Sequence, residues 1–339
     1  MPFKEIKGQD AALEIISANQ EAGRLEGGYL FVGPGSVGKK MAAKVLSQSL
    51  NCVLDNNDAC GVCPSCIKIE KNQHPDVHII PQEAGEDINP VRNHSATING
   101  YGVSNGIKIE EVRQLQKEIN LKAYEGRFKV FIIDNAHKLT PEASNCLLKV
   151  LEEPPKRSLI ILITDKPGIL FKTILSRCKV IKFKAQDREG LKEALKENYG
   201  LDPGFSHFLA YFCEGRIGEA LRLKELGILK TKNNIIDKLL IPASFSLEGL
   251  GIEDRQSFFL SLNILNTWFR DLFLLKTGII DAEVINSDRK NDLLKSMSSF
   301  SYSDLERILN AISNTVFYLE RNINTRLLLH NLKAQIWER

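Results

Sequence analysis

Residues 33–40, Gly33-Pro34-Gly35-Ser36-Val37-Gly38-Lys39-Lys40, follow the apolar run Tyr29-Leu30-Phe31-Val32 and open a helical stretch from Lys39 to Leu50. A G-x-x-x-x-G-K loop between a strand and a helix is a phosphate cradle: its backbone N–H groups and the helix start form a positive concavity, and the lysine adds a point charge. The chain is thereby directed to an α/β fold, with Gly33, Gly35, Gly38 and Lys39 as candidate nucleotide-binding residues. The next position departs from the motif. A Ser or Thr hydroxyl there normally holds the Mg²⁺ that bridges the β- and γ-phosphates, whereas this chain has the ammonium of Lys40. The loop therefore points to a nucleotide-binding scaffold and away from Mg²⁺-dependent hydrolysis, and leaves open whether ATP or ADP is held without turnover.

A second segment agrees with that reading. Val130-Phe131-Ile132-Ile133-Asp134 is an apolar strand ending in an acid, the pattern that organises Mg²⁺ in nucleotide hydrolases, so Asp134 is expected beside the loop at the sheet's C-terminal edge. The position after it would carry the water-activating Glu in an active hydrolase; Asn135 cannot act as a general base. Leu159 to Thr164 is a further apolar strand ending in a hydroxyl, placed either to sense a γ-phosphate or simply to end the strand. Ser176-Arg177-Cys178 precedes another short strand, and an Arg at such an edge can stabilise charge on phosphate bound by a neighbour or serve as an ordinary surface ion-pair residue.

Cys52, Cys60, Cys63 and Cys66 form a separate constellation, spaced x(7), x(2), x(2). Four thiolates this close suit a closed tetrahedral Zn²⁺ site with no position left for substrate, although an iron–sulfur cluster uses the same ligand type. Cys146, Cys178 and Cys213 stand alone and read as small buried apolar side chains.

Strands at Tyr29–Val32, Val77–Ile80, Lys129–Ile133, Leu159–Thr164 and Val180–Phe183 alternate with amphipathic stretches at Asp10–Ala22, Lys39–Leu50, Glu110–Leu121 and Pro141–Leu151. That alternation predicts a mainly parallel sheet covered on both faces. Thr140 reads as the cap of the last helix, with Pro141 at its first position. The polar stretch Pro81–Gly106 interrupts the pattern as a surface insertion. Beyond Phe183 only helices are expected, with Ser303 to Glu306 reading as a capping box.

With 339 residues the chain can hold two or three cores, and its net charge of +3 gives no general case for nucleic-acid binding; a DNA contact would need a local basic patch. The apolar stretch Phe258–Leu275 is broken by Asn263, Asn266, Arg270 and Asp271, so no membrane span is read there, and a cytoplasmic location is expected. Cysteines in that compartment favour metal binding over disulfides. The modest charge and the lack of a recognition-helix signature count against a free-standing zinc DNA-binding module.

The order of these motifs resembles the bacterial clamp-loader AAA+ family of DNA polymerase III. Ile6-Lys7-Gly8-Gln9, the altered phosphate loop, the four cysteines after its helix, His74-Pro75-Asp76, the run Asn145-Cys146-Leu147-Leu148-Lys149-Val150-Leu151-Glu152-Glu153-Pro154-Pro155 and Ser176-Arg177-Cys178 carry the resemblance, over about residues 3–185. It implies an α/β AAA+ core (1–184) bearing the cysteine module (51–67) and the insertion (81–106), a small helical lid (185–230) and an all-α collar (231–339). The implied role is a non-hydrolysing stator in the hetero-oligomeric clamp loader, a part of the polymerase holoenzyme without ATPase or polymerase activity of its own. Its partners would be the tau/gamma and delta subunits, with the sliding clamp and primed DNA met through the assembly. Arg177 matches the family's arginine finger, acting on a neighbour's ATP. Active relatives place a phosphate-sensing Arg where this chain has Gly218; Arg216 lies two residues away. The alternative is an active motor subunit of the tau/gamma type, which would have to tolerate Lys40, Asn135 and Gly218 together.

Overall fold

The protein is described here from a computed structural model, for residues 2–54, 57–80, 106–240, 254–278 and 284–337. The described residues up to Gln186 form one compact unit and those from Asp187 onward another. The expected insertion at 81–106 lies outside the described residues except for Gly106.

The first unit holds five strands, β1 (Gly27–Val32), β2 (Val77–Ile80), β3 (Lys129–Ile133), β4 (Ser158–Thr164) and β5 (Cys178–Lys182), in the order β2-β3-β4-β1-β5. Every pairing is parallel. The helices between them are α1 (Asp10–Glu21), α2 (Lys39–Asn51), α3 (Pro64–Glu70), α4 (Ile109–Ile119), α5 (Pro141–Glu152) and the short α6 (Lys172–Leu175). Strands β1, β3 and β4 are buried along their whole length, which explains their continuous apolar runs. Period-2 alternation splits their side chains between two cores. Tyr29, Phe31, Val130, Ile132, Leu159 and Ile161 pack in one layer with Ala42, Val45 and Leu46 of α2, while Leu30, Phe131, Ile133, Ile160 and Leu162 pack in the other with Val112, Leu115 and Leu147 of α4 and α5. Each such buried aliphatic contributes roughly 1.5–3 kcal/mol.

Helix starts follow local chemistry. Thr140 accepts the N–H of Ala143 at 3.2 Å and Pro141 opens α5, as the sequence predicts. Gln9, in the Ile6–Gln9 motif, bonds both amide groups to the backbone of Lys184, its side chain donating at 2.6 Å and accepting at 3.1 Å. It thus ties the chain's start to the exit of β5, and Gly8 leaves room for Gln186 where a Cβ would collide. The last strand begins at Cys178 rather than at Val180, because pairing to Gly28 of β1 starts there.

The second unit contains α7 (Arg188–Tyr199), α8 (Pro203–Phe212), α9 (Ile217–Glu225), α10 (Ile228–Leu240), α11 (Arg255–Lys276), α12 (Lys290–Met297), α13 (Tyr302–Glu320) and α14 (Thr325–Trp337), with no strand among its described residues. One apolar cluster runs through it, centred on Phe208, Phe258, Trp268 and Phe269. Buried Lys232 is paired with Asp288 at 2.6 Å and lies 4.3 Å from the Phe208 ring centre. The capping box of α13 is Ser301 with Asp304, not Ser303 with Glu306. The string Ser-Tyr-Ser-Asp offers either serine, and Ser301 wins because its hydroxyl accepts from Asp304 N while the Asp304 carboxylate accepts from Ser301 N.

Candidate functional site: the two edges of the parallel sheet

Parallel strands put all their C-terminal ends on one edge, and the loops after β1, β3 and β4 meet there. Gly33 must be glycine, since a Cβ would stand 2.2 Å from Phe183 O. Gly38 caps α2 at φ 99°, where a side chain would strain the backbone, whereas Gly35 has open space around it. Lys39 is 7% exposed and donates to Gly33 O at 2.6 Å and Pro34 O at 2.5 Å, so its ammonium is held by its own loop. Burial lowers its pKa, opposed by Asp165 and Asp134.

The loop's altered position now has a structural partner. Lys40 Nζ lies 3.6 Å from Asp134 Oδ2. The strand-ending acid is therefore matched by the ammonium that stands where the motif would put its Mg²⁺-binding hydroxyl. Asn135 follows in the left-handed conformation, φ 53° and ψ 45°, which Asn tolerates better than most residues, and its N–H donates to Asp134 Oδ1. Thr164, buried, stands 3.2 Å from His137 Nδ1 and accepts the N–H of Lys166, so it is engaged within this edge. His137 also approaches Asp165 at 3.3 Å, and burial lowers its pKa. A lone His after a strand carries no spacing signal, so His137 is not legible as a site residue from the sequence.

The opposite edge is built differently. Arg177 immediately precedes β5, level with Gly27, so six residues of β1 at ~3.3 Å each place it about 20 Å from its own phosphate loop. It is exposed, with Nε donating to Glu152 Oε1 at 2.9 Å, Nη2 within 2.7 Å of the same oxygen, and Nη1 donating to Thr173 O at 3.0 Å and Ser176 Oγ at 3.3 Å. The nucleotide-site residues thus come together at one edge, and Arg177 does not join them.

Helix α2 runs back from the loop and delivers Cys52 to this second edge, where Arg127 Nη2 donates to Cys52 O and Phe128 N donates to Asn51 Oδ1. The ligand atoms of Cys52, Cys60, Cys63 and Cys66 all lie within 4.8 Å of one another, with Cys60 and Cys66 sulfurs 3.9 Å apart. A Zn–S length of about 2.3 Å requires sulfurs roughly 3.8 Å apart, so the set fits a tetrahedrally bound metal such as zinc. The N–H groups of Val62 and Cys63 hold the Cys60 thiol down to about 6, and burial pushes Cys66 up to about 12. The remaining cysteines agree only in part with the expectation: Cys213 is buried, while Cys146 and Cys178 are half-buried, Cys146 donating to Gln116 Oε1.

The same edge reveals what His74-Pro75-Asp76 does. Asp76, buried just ahead of β2, accepts the N–H groups of Tyr124, Glu125 and Gly126 at 2.7–2.9 Å and so fixes the loop before β3. Burial opposes its ionisation, but these three donors prevail and hold its carboxyl below the usual range. His74 Nδ1 accepts from Asp76 N, and its pKa is lowered by burial.

Two adjoining depressions that share Asn120 and Pro155 line this edge with exposed Arg113, Lys117, Lys122, Lys149, Lys156 and Arg157 against a single carboxylate, Glu153. This is the local basic patch that net charge concealed; its residues are scattered over 45 positions, from 113 to 157, and carry no contiguous signal.

In the second unit, Gly218 is the second residue of α9, and Arg216 caps that helix in extended conformation with Nε donating to Cys213 O. Arg216 therefore stands just before the helix.

A parallel five-stranded sheet with a phosphate loop after β1 defines a P-loop α/β protein, and the described residues of the second unit add helices alone. Residues 8–187 match the family described as DNA polymerase III, delta subunit, and the chain belongs to that family. It is 25% identical over 346 residues to the DNA polymerase III subunit delta′ of Bacillus subtilis, covering 97% of this chain and 96% of the relative. It is 32% identical over 232 residues to the DNA polymerase III subunit tau of Escherichia coli, covering 67% of this chain but 33% of that protein; the chain thus spans about a third of the tau subunit it matches. A solved gamma subunit-related protein of DNA polymerase III from Thermotoga maritima aligns over 97% of this chain and 99% of that one, with a TM-score of 0.49 and 17% identity.

Proposed function

We propose that this chain is a delta′-type stator of the DNA polymerase III clamp loader, which does not hydrolyse ATP itself and supplies Arg177 to the nucleotide of a neighbouring ATPase subunit. The observation that carries this reading is the place of Arg177: exposed, and about 20 Å along the sheet from its own phosphate loop. A guanidinium there is out of reach of a nucleotide on its own loop, so the phosphate it meets belongs to another molecule. The self-matched pair Lys40–Asp134, together with Asn135 and Gly218, supports a site kept as scaffold rather than as catalyst. On this reading residues 185–230 are the lid and 231–339 the collar, Zn²⁺ is the structural metal of the four cysteines, and the tau/gamma and delta subunits are the partners. On the same reading the exposed cations from Arg113 to Arg157 contact the backbone of primed DNA within the assembled loader, in the cytoplasm; their concentration around one groove supports it. Among the described residues no helix is long and apolar enough to cross a membrane.

ATP turnover is the test. The purified chain is expected to show none above background, with or without Mg²⁺, and turnover comparable to a loader motor would favour the tau/gamma-type reading instead. For the DNA contact, replacing Lys156 and Arg157 by Glu should weaken binding of the assembled complex to primed DNA and flatten its salt dependence. Unchanged salt dependence would remove this groove from the interface.

A further inference from the structure

The run from Asn145 to Pro155 and the Ser176-Arg177-Cys178 motif lie more than twenty residues apart in sequence, yet they are joined in the structure by one carboxylate. Glu152 is the last residue of α5. Glu153 leaves helical geometry at φ −128° and ψ 71°, and Pro154 and Pro155 prevent continuation. Pro154 lies against Gly27 at the start of β1, and Leu151 against Gly28, the partner of Cys178. The helix end is thus pinned to the strand that also positions Arg177. An acidic side chain at a helix C-terminus opposes the helix dipole, so local preference does not explain Glu152. Its partner does: Nε and Nη2 of Arg177 both meet Glu152 Oε1, while Nη1 is taken by Thr173 O and Ser176 Oγ.

We infer that Glu152 is a positioning residue for Arg177, fixing the guanidinium before a nucleotide-bearing neighbour arrives. This rests on the reading of Arg177 as a residue acting in trans. Four hydrogen-bonding contacts select one arrangement of a long, exposed side chain, so its rotamer freedom is already lost when phosphate is met. Both partners remain partly open to solvent, the side chains 34% exposed for Arg177 and 50% for Glu152, so the outward edge of the guanidinium is accessible to another subunit. Glu152 itself touches no reacting atom on this proposal.

The test uses the full-length chain assembled with the ATPase subunits that co-purify with it, at saturating primed DNA. Glu152→Ala should lower kcat roughly 5–20-fold with the KM for ATP changed less than about twofold, because only the orientation of the transition-state contact is lost. Glu152→Gln should retain at least about half of kcat, since its amide oxygen still accepts from Nε and Nη2. In an Arg177→Ala background, Glu152→Ala should have no further effect. Wild-type or raised kcat in Glu152→Ala, or an additive loss in the double variant, overturns the proposal. If Arg177→Ala itself leaves turnover unchanged, the in-trans reading fails and this inference with it, an outcome distinct from a neutral Glu152→Ala beside a damaging Arg177→Ala. A measurement on the isolated chain needs no partner: the Arg177 Nε–H resonance should be protected from solvent exchange and lose that protection in Glu152→Ala. Unchanged protection would also overturn the assignment.

Discussion

The two edges of the sheet differ in how far their cations are answered by acids. At the C-terminal edge, where a P-loop enzyme works, Lys39 is folded onto its own loop carbonyls, Lys40 onto Asp134, and His137 onto Thr164 and Asp165. At the N-terminal edge Arg177 and six further cations are exposed, and Asp76 braces the Tyr124–Gly126 loop that follows Lys122. Arg177 is likewise held within its own edge, by Glu152, whereas the six cations of the groove face a single lining carboxylate, Glu153. The proposed function assigns the two edges different roles, and variants at each edge can test that assignment.

The sharpest way to break that comparison is to remove one cation from each edge. In the assembled complex Arg177→Ala should reduce ATP turnover by on the order of 10³-fold or more, the usual weight of an arginine finger, while Lys39→Ala leaves it within about twofold. Equal losses would show that both edges act in catalysis. Next in size is the metal module. Cys66→Ser should abolish a near-stoichiometric zinc content by elemental analysis and lower folding stability by more than about 4 kcal/mol, the range typical of a lost metal. A metal-free protein with unchanged melting temperature would contradict a structural site.

Asp76→Ala should cost roughly 3–5 kcal/mol by urea unfolding, since it leaves three N–H groups of the Tyr124–Gly126 loop without their acceptor. A loss below about 1 kcal/mol would mean that the brace is dispensable.

A smaller effect comes from pH, and it can be assigned to an edge. Burial lowers the pKa of His74 at one edge and of His137 at the other. Below about 6.5 the unfolded chain takes up protons that the folded one refuses, so stability should fall as pH drops from 6.5 toward the folded values, by up to about 1.4 kcal/mol per pH unit for each histidine. Urea midpoints at pH 7.5 and 5.5 for the wild type, His74→Gln and His137→Gln measure each share; a variant whose pH response matches the wild type clears that edge. Smallest of all, Lys40→Ala should change stability by less than about 1 kcal/mol, because the pair with Asp134 is solvent-accessible, with side chains 33% and 24% exposed. A loss of several kcal/mol would make the pair a structural keystone rather than a replacement for a cation.

Much of this was legible in the residues. Continuous apolar runs at Val130–Ile133 and Leu159–Thr164 announced strands buried on both faces, and the C-x-x-C spacing announced a thiolate cluster, because both patterns are set by chemistry within a few residues. The start of α13 is ambiguous by two residues in the sequence, since Ser301 and Ser303 could each cap it and only the folded hydrogen bonds choose. The brace formed by Asp76, and the cationic groove, had residues in plain view and no visible purpose, because the three N–H donors to Asp76 lie about 50 positions away and the groove is gathered from residues 113 to 157.

Sequence by itself determined the class of fold, the loss of the Mg²⁺-binding hydroxyl at Lys40 and the four thiolates, each a matter of residue type at a local spacing. Only the tertiary structure decided which edge each group occupies. Parallel strand pairing sends Asp134 and Lys40 to one end and Arg177 and Glu152 to the other, and that separation of about 20 Å is a property of strand direction and register, which no single stretch of residues encodes.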